Sequence, residues 1–294
     1  MFDIPILIIG FNRPEAIRGL IKILEKIEPQ KIYIFVDGAR ENVYGEDEKV
    51  EEVKKIVEKE IHWTTRKMYN FPEENLNCRY GPATAITWFF ENEEMGIILE
   101  DDVRPDLSFF PYMEVLLVYY KDDQRIGHIT GRNDLGIYDI GYSYNFYEIG
   151  SVWGWGTWRR AWKDFSLFDE LWTNYEVREA VESKLNRSGF KDYLISKLEQ
   201  VVSGKKQAWD YIWSFTNIAY DRKAIYPKKN LVKNVGFGKD ATHTTSITAD
   251  KVESYCMDEE IIHPPFCCID YRYYDNLEKR KNSKLAKIIR KISR

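Results

Sequence analysis

GIILEDDVRPD, residues 96–106, decides how the rest of the chain is read. Gly96 to Leu99 is a short continuous apolar run that breaks at once into Glu100, Asp101 and Asp102, and a run of that length between such boundaries reads as a strand buried on both faces. The same form occurs twice upstream. Ile4 to Ile9 is closed by Gly10 and Asn12-Arg13-Pro14, and Ile32 to Val36 by Asp37-Gly38. Between them Ala16, Leu20, Ile23, Leu24 and Ile27 recur at helical spacing. The acidic stretch Glu46 to Glu60, with Val50, Val53, Ile56 and Val57 on one face, reads as a solvated amphipathic helix. A strand near Arg66 to Phe71 and a helix from about Pro82 to Glu93 lead back to the quoted stretch. Strands alternating with helices of this length predict parallel βαβ units in an α/β sheet. Ligands of such sheets sit beyond the carboxyl ends of the strands, so the polar residues after Ile9, Val36 and Leu99 are read as chemistry first.

The second half is less regular: a helix from Asp106 to Tyr120, a strand Ile126 to Thr130, an aromatic block from Tyr142 to Trp162, two or three helices between Tyr175 and Tyr220, and a Gly-rich segment from Asn234 to Thr245. No internal repeat or low-complexity linker divides it. The spacing therefore predicts a single catalytic unit over residues 1–278, with a sheet half at 1–105 and a more helical half at 106–278. At 294 residues, 44% hydrophobic, 31% charged and 15% aromatic, the chain is neither disordered, nor collagen-like, nor a multi-span membrane protein. The net charge of −4 argues against general nucleic-acid binding. It also hides an asymmetry, because residues 279–294 hold eight Lys or Arg and no acid. There Leu285, Ile288, Ile289 and Ile292 fall on one helical face, so the tail reads either as a basic amphipathic helix for an anionic membrane surface or as a solvated end. The start lacks the basic region of a signal peptide, and with no cysteine pair of zinc or redox spacing a cytoplasmic protein with reduced thiols is expected.

Several side chains stand out as candidates. Three adjacent carboxylates at a strand end repel one another unless a hard cation or a donor compensates, which points to Mn2+ or Mg2+; a helix N-cap is the competing reading. Arg13 follows the first strand and Asp37 the second, strand-end positions that favour a nucleotide site over the competing readings of a surface arginine and an Asp-Gly turn. Asp210, in the ring-flanked sequence QAWDYIW (207–213), is a carboxylate whose pKa the rings would raise, as a general base requires. In VWGWGTWRRAW (152–162) glycines alternate with indoles, so Gly154 and Trp155 are candidates for a sugar pocket, with core packing as the alternative.

Taken together, PILIIGFNR (5–13), FVDGAR (35–40), IILEDDVRPDLSFF (97–110), NLNCRYGPATAITWFF (75–90), GHITGRND (127–134), VWGWGTWRRAW, QAWDYIW and NVGFGKDATHT (234–244) resemble the bacterial HlpA-like nucleotide-diphospho-sugar transferases. They resemble more distantly the N-acetylglucosaminyltransferase that initiates complex N-glycans. The resemblance implies a GT-A-type, Rossmann-like fold with a mainly parallel central sheet flanked by helices, its nucleotide-sugar half at 1–105. It implies a metal-dependent inverting glycosyltransferase of bacterial surface-polysaccharide assembly, using a UDP-sugar donor and a glycan or lipid-linked acceptor. Carried over by position, Asp102 holds the divalent ion with His243 as a further ligand. Phe11, Arg13, Asp37, Arg40, Glu100 and Asp101 face the donor nucleotide. Asp210 is the base, and Arg132, Asn133, Asp134, Gly154, Trp155 and Trp209 line the sugar and acceptor pocket. His62, His128 and His263 carry no motif context.

Two other classes use parts of this pattern. A sugar-nucleotide pyrophosphorylase would need a Gly-rich loop after the first strand, where this chain has Gly10 alone. A non-catalytic carbohydrate-binding protein suits the aromatic content but does not need Glu100, Asp102 and Asp210 together.

Overall fold

The computed structural model describes residues 2–167, 170–185, 191–236, 252–257 and 260–282. The chain opens with β1 (Ile6–Gly10), α1 (Pro14–Leu24), β2 (Lys31–Val36), α2 (Glu46–Lys59), β3 (Arg66–Asn70), α3 (Asn77–Asn92) and β4 (Met95–Glu100). Pro14 stands at the start of α1, where a missing N–H costs nothing. α3 begins five residues before the expected Pro82. Asp37 supplies the reason: its carboxylate accepts the Leu76 N–H at 2.9 Å and also bonds the Asn77 N–H, giving an earlier helix start the partners it needs. Asn77 itself has φ +61°, a left-handed conformation that asparagine tolerates.

The triplet does not cap a helix. β4 runs into a turn at Asp101 and Asp102 and then into β5 (Val103–Pro105). The following helix, α4 (Phe109–Tyr119), is preceded by Asp106, whose Oδ1 accepts the Ser108 N–H at 3.0 Å and the Ser108 hydroxyl at 2.7 Å. The remaining elements are β6 (Ile126–Thr130), β7 (Tyr144–Tyr147), β8 (Trp155–Trp158), α5 (Arg159–Trp162), α6 (Glu170–Thr173), α7 (Tyr175–Leu185), α8 (Lys191–Val202), α9 (Asp210–Ala219), β9 (Lys223–Pro227), β10 (Val232–Asn234) and α10 (Tyr271–Asn282).

Among the described residues one sheet has the order β3-β2-β1-β4-β8-β6-β9-β7, with β10 and β5 forming an antiparallel ribbon beside it. β1 to β4, β6 and β9 share one direction; β8 and β7 run against them. The expected α/β architecture with a mainly parallel sheet is what the chain adopts. Both reversed strands come from the aromatic block.

Register sets the functional edge. Gly10 pairs with Val36 and Ile9 with Glu100, so β1, β2 and β4 end side by side. Ile98 and Thr130 both pair with Trp155, which brings the start of β8 and the end of β6 to that same edge.

Alternation divides the core. Ile6, Ile8, Ile32, Ile34, Ile97 and Leu99 face α1, α2 and α4 on one side of the sheet, while Leu7, Ile9, Tyr33, Phe35 and Ile98 face α3 and a group of indoles on the other. Each such side chain contributes roughly 1.5–3 kcal/mol by leaving water. The indoles are Trp155, Trp162, Trp209 and Trp213. α9 belongs to two cores at once, because its Ile212, Phe215 and Ile218 pack on Trp172, Val181, Leu194 and Leu198 of the helical half. Its first residue, Asp210, is thereby fixed from both sides.

α10 docks through Tyr273 and Tyr274 on Tyr147 and Tyr226, and Arg280 donates to the Asp134 carbonyl at 2.6 Å. Residues 279–282, expected to begin a separate tail, are therefore the last turn of a docked helix. The rest of the predicted amphipathic segment lies outside the described residues. No helix among those described is long and apolar enough to cross a membrane.

Candidate active site

Arg13 is the pivot of the edge where β1 and β4 end. One of its terminal nitrogens donates to Asp102 Oδ2 at 2.9 Å and the other to Asp101 Oδ1. Burial opposes its charge, but Asp101 and then Asp102 more than offset this and hold the guanidinium above its ordinary value. Asp101 is 1% exposed, and its Oδ2 has no hydrogen-bond partner. Burial raises the pKa of Asp101 against the pull of Arg13. Glu100 is raised further, first by burial and then by the charge of Asp102, with Arg13 opposing. Arg104 does not pair with these carboxylates; it donates to the carbonyls of Asp101, Val103 and Ala16.

Asp102 has the most open carboxylate of the two aspartates, at 13% exposure. The β5–β10 ribbon brings the start of the Gly-rich segment against it: Val235 N–H donates to the Asp102 carbonyl at 2.8 Å, and Asn234 Nδ2 lies 3.4 Å from Oδ1. A Cβ at Gly236 would run into the Asp102 side chain and displace it, so glycine lets the segment pass close to that carboxylate. His243 and the remainder of that segment lie outside the described residues. Among those described, no group of three or more His, Cys, Asp or Glu side chains is arranged to hold a metal by itself. The donors present are hard carboxylate oxygens, which match Mg2+ or Mn2+ held by one or two carboxylates and completed by a ligand's phosphates.

Asp210 opens α9 behind Trp209. Burial raises its pKa, opposed by its own N–H, by Lys206 and by the Tyr211 N–H. Burial raises both Glu100 and the Cys78 thiol at the start of α3, and the charge of Asp210 adds to each, so the three groups are near neighbours. Cys78 donates to the Gln207 carbonyl at 3.1 Å and ties the turn before Asp210 to α3. No reading of the sequence singled it out, although it sits within NLNCRYGP.

Asp37 and Arg40 are both engaged. Asp37 Oδ1 accepts the N–H groups of Gly38 and Leu76, and Oδ2 accepts Asn75 Nδ2 at 3.3 Å. Arg40 lies over the Phe11 ring, 5.7 Å from its centroid, and is held there by Glu46. Glu46 is the residue that sequence reasoning missed. It was read as part of a solvated face, yet it is 2% exposed and accepts from Asn12 Nδ2 at 2.8 Å and from Arg40 N and Nε, each at 2.9 Å. One carboxylate thus shapes the loops after β1 and β2. Glu46→Ala is expected to cost about 2 kcal/mol in urea unfolding, the loss of charged hydrogen bonds that leave partners behind. A cost below about 0.5 kcal/mol would show these loops to be held by other means.

Trp155, Trp209, Asn133 and Gly154, expected in the pocket, are instead internal. Trp155 is fully buried, stacked on His128 at 4.7 Å and on Trp209 at 5.7 Å, and Trp209 is 4% exposed. Neither indole offers a face to a sugar. Asn133 is also fully buried: its amide donates to the Pro227 and Lys228 carbonyls, and its oxygen accepts from the Tyr273 hydroxyl and the Leu135 N–H. Gly154 takes φ +63° with Val232 and Val103 where a Cβ would stand, so its glycine serves packing beneath the ribbon. Arg132 is buried, bonds Asp134 at 2.8 Å and lies 5.1 Å over the Trp153 ring. Asp134 is half-exposed on the same edge. More generally, six of the nine tryptophans are buried, so most of the indole content is core.

No family model and no curated protein matches the chain. It is similar to the solved structure of a UDP-glucose pyrophosphorylase complexed with UDP-glucose, at 8% identity and TM-score 0.39 over 78% of this chain and 90% of that one. Another similar structure is HddC from Yersinia pseudotuberculosis, at 12% identity and TM-score 0.33 over 54% and 78%. A third is the glycosyltransferase GlyE of Streptococcus pneumoniae, at 11% identity and TM-score 0.36 over 77% of this chain and 45% of GlyE. Likeness this distant carries no argument about what the chain binds.

Proposed function

We propose that the chain is an inverting glycosyltransferase that moves a sugar from a nucleoside-diphosphate donor, a UDP-sugar, to a hydroxyl of a glycan or lipid-linked acceptor. The observation that supports this most is that Asp210 lies within electrostatic reach of Glu100, at the end of the strand whose next two carboxylates Arg13 pairs. A diphosphate needs a cationic partner, the role assigned to Arg13, and a hydroxyl acceptor needs a base, the role assigned to Asp210.

In this reading Phe11 and Arg40 flank the donor nucleoside and Arg13 meets the diphosphate. Asp102 is the protein ligand of a divalent ion, which when bound neutralises charge on the departing nucleoside diphosphate. Asp210, whose pKa burial raises, accepts the acceptor hydroxyl's proton at its carboxylate as that oxygen attacks the anomeric carbon. A single displacement inverts the centre through an oxocarbenium-like state. Trp209 and Trp155 act behind this chemistry by fixing the start of α9.

The test is a panel of nucleotide sugars incubated with Mn2+ and simple glycan or lipid-linked acceptors, with UDP or GDP release as the readout. Mn2+-dependent release with transfer to a hydroxyl is expected. Formation of a nucleoside triphosphate from nucleotide sugar and pyrophosphate would replace this reading with a pyrophosphorylase. Sugar binding with no nucleotide chemistry would replace it with a carbohydrate-binding protein.

A further inference from the structure

Arg13 already occupies the place of a cation. Its fork spans Asp101 Oδ1 and Asp102 Oδ2, the latter at 2.9 Å, while Arg104 is turned onto backbone carbonyls. Arg13 alone bridges the two aspartates, Glu100 and Arg104 act on the group only through their charge, and Asp101 Oδ2 stays buried without a hydrogen bond. Asp102, the more open of the two aspartates, thus has its Oδ2 covered by Arg13. Arg13 stands just ahead of α1, with its side chain 23% exposed.

Resting on the nucleotide-sugar reading above, we propose that Arg13 is a displaceable counter-ion that makes divalent-cation binding at Asp102 conditional on the donor's diphosphate. A cation arriving alone must push a guanidinium off Asp102 and leave it with one partner fewer in a site where unpaired charge is costly. A diphosphate changes the exchange. Its oxygens offer the guanidinium a bidentate partner of the kind arginine binds best, and the cation takes the released carboxylate. Cation and diphosphate then promote each other's binding by the same factor, because coupling between sites is reciprocal.

The experiment measures Mn2+ binding through the electron paramagnetic resonance signal of the free ion, without nucleotide and with saturating UDP. It compares the whole wild-type chain with Arg13→Met and Arg13→Lys. Wild type is expected to bind Mn2+ at least about tenfold tighter with UDP, within the usual range for coupled sites. Arg13→Met should bind Mn2+ alone at least about fivefold tighter than wild type and gain correspondingly less from UDP. Arg13→Lys keeps a charge for buried Asp101 but cannot fork to Asp102, so it should shift the same way by a smaller factor; it decides the matter if the Met variant does not fold. Circular dichroism establishes which variants are folded. A folded variant whose affinity for Mn2+ alone equals or falls below that of wild type overturns the proposal. UDP that binds none of the proteins overturns the nucleotide-sugar reading and the coupling with it, whereas the Mn2+-alone comparison still decides whether Arg13 covers Asp102.

Discussion

Asp210→Asn is expected to cut sugar transfer about a thousandfold, the middle of the range for a lost general base, with UDP binding and folding unchanged. The substitution keeps the shape and an acceptor oxygen, so the contacts of the carboxylate with its own N–H and that of Tyr211 survive. It removes the only property the proposal uses, the ability to take a proton. Wild-type kcat/KM should fall on the acid side with a midpoint above the usual aspartate range, because burial raises Asp210. The competing role is structural. An aspartate in the first turn of a helix is favoured by the helix dipole, by about 0.3–1 kcal/mol at an exposed site. If that were its whole purpose, Asp210→Asn would lower the unfolding midpoint slightly and leave kcat intact. Near-normal turnover by a folded variant would remove Asp210 from the mechanism.

How much of this was legible in the sequence follows from which contacts are local. β1, β2 and β4 are parallel strands buried on both faces, so they are written as unbroken apolar runs ending in glycine or acid. Their common carboxyl edge then locates Arg13 and the triplet without further information. The reversed strands β7 and β8 were not legible, because YNFY and WGTW carry no period-two polarity when both faces are covered. The same cause misplaced Trp155, since ring content does not say whether a ring faces a ligand or another ring. Asn133 was misplaced for a different reason. Its partners, the Pro227 and Lys228 carbonyls, are 94 and 95 residues away, and nothing near GRND announces them. Glu46 was hidden inside a correct helix. Its charge fits the solvated face of α2, and only the return of Arg40 over Phe11 turns it inward. Residue type gave the chemistry, and long-range pairing decided which groups were free to use it.

The second large effect concerns acid, and its source is His128, a residue with no motif to mark it. Its Nδ1 accepts the Trp213 indole N–H at 3.0 Å, so the proton sits on Nε2, which faces the Ser151 carbonyl at 3.0 Å. The ring lies parallel to Trp155, 4.7 Å away, and Gly150 passes so close that a Cβ there would meet the imidazole. A second proton would set donor against donor at Trp213 and place charge in the core. Burial accordingly lowers His128 from 6.5 to about 4, with only the Ser151 carbonyl opposing. Because the folded chain binds this proton less readily than the unfolded one, the associated stability is complete above pH 6.5. It is lost as the pH falls toward 4, by about 3 kcal/mol in all. Glu100 and Asp101 act in the opposite sense. Their pKa values are raised in the folded state, so their protonation relieves it on acidification, and the wild-type curve alone mixes the two. His128→Gln separates them. Glutamine can accept from the indole and donate to the carbonyl but does not titrate, so the stability gap between wild type and variant, measured by urea unfolding, should shift by about 2–3 kcal/mol against wild type between pH 7.5 and pH 4.5. A gap that stays constant would mean that His128 is not held neutral. The consequence reaches the site, because Trp213 lies in the first turn of α9, three residues after Asp210. Protonating His128 removes the indole's anchor, so the indole emission and the placement of Asp210 are expected to change over the same pH interval.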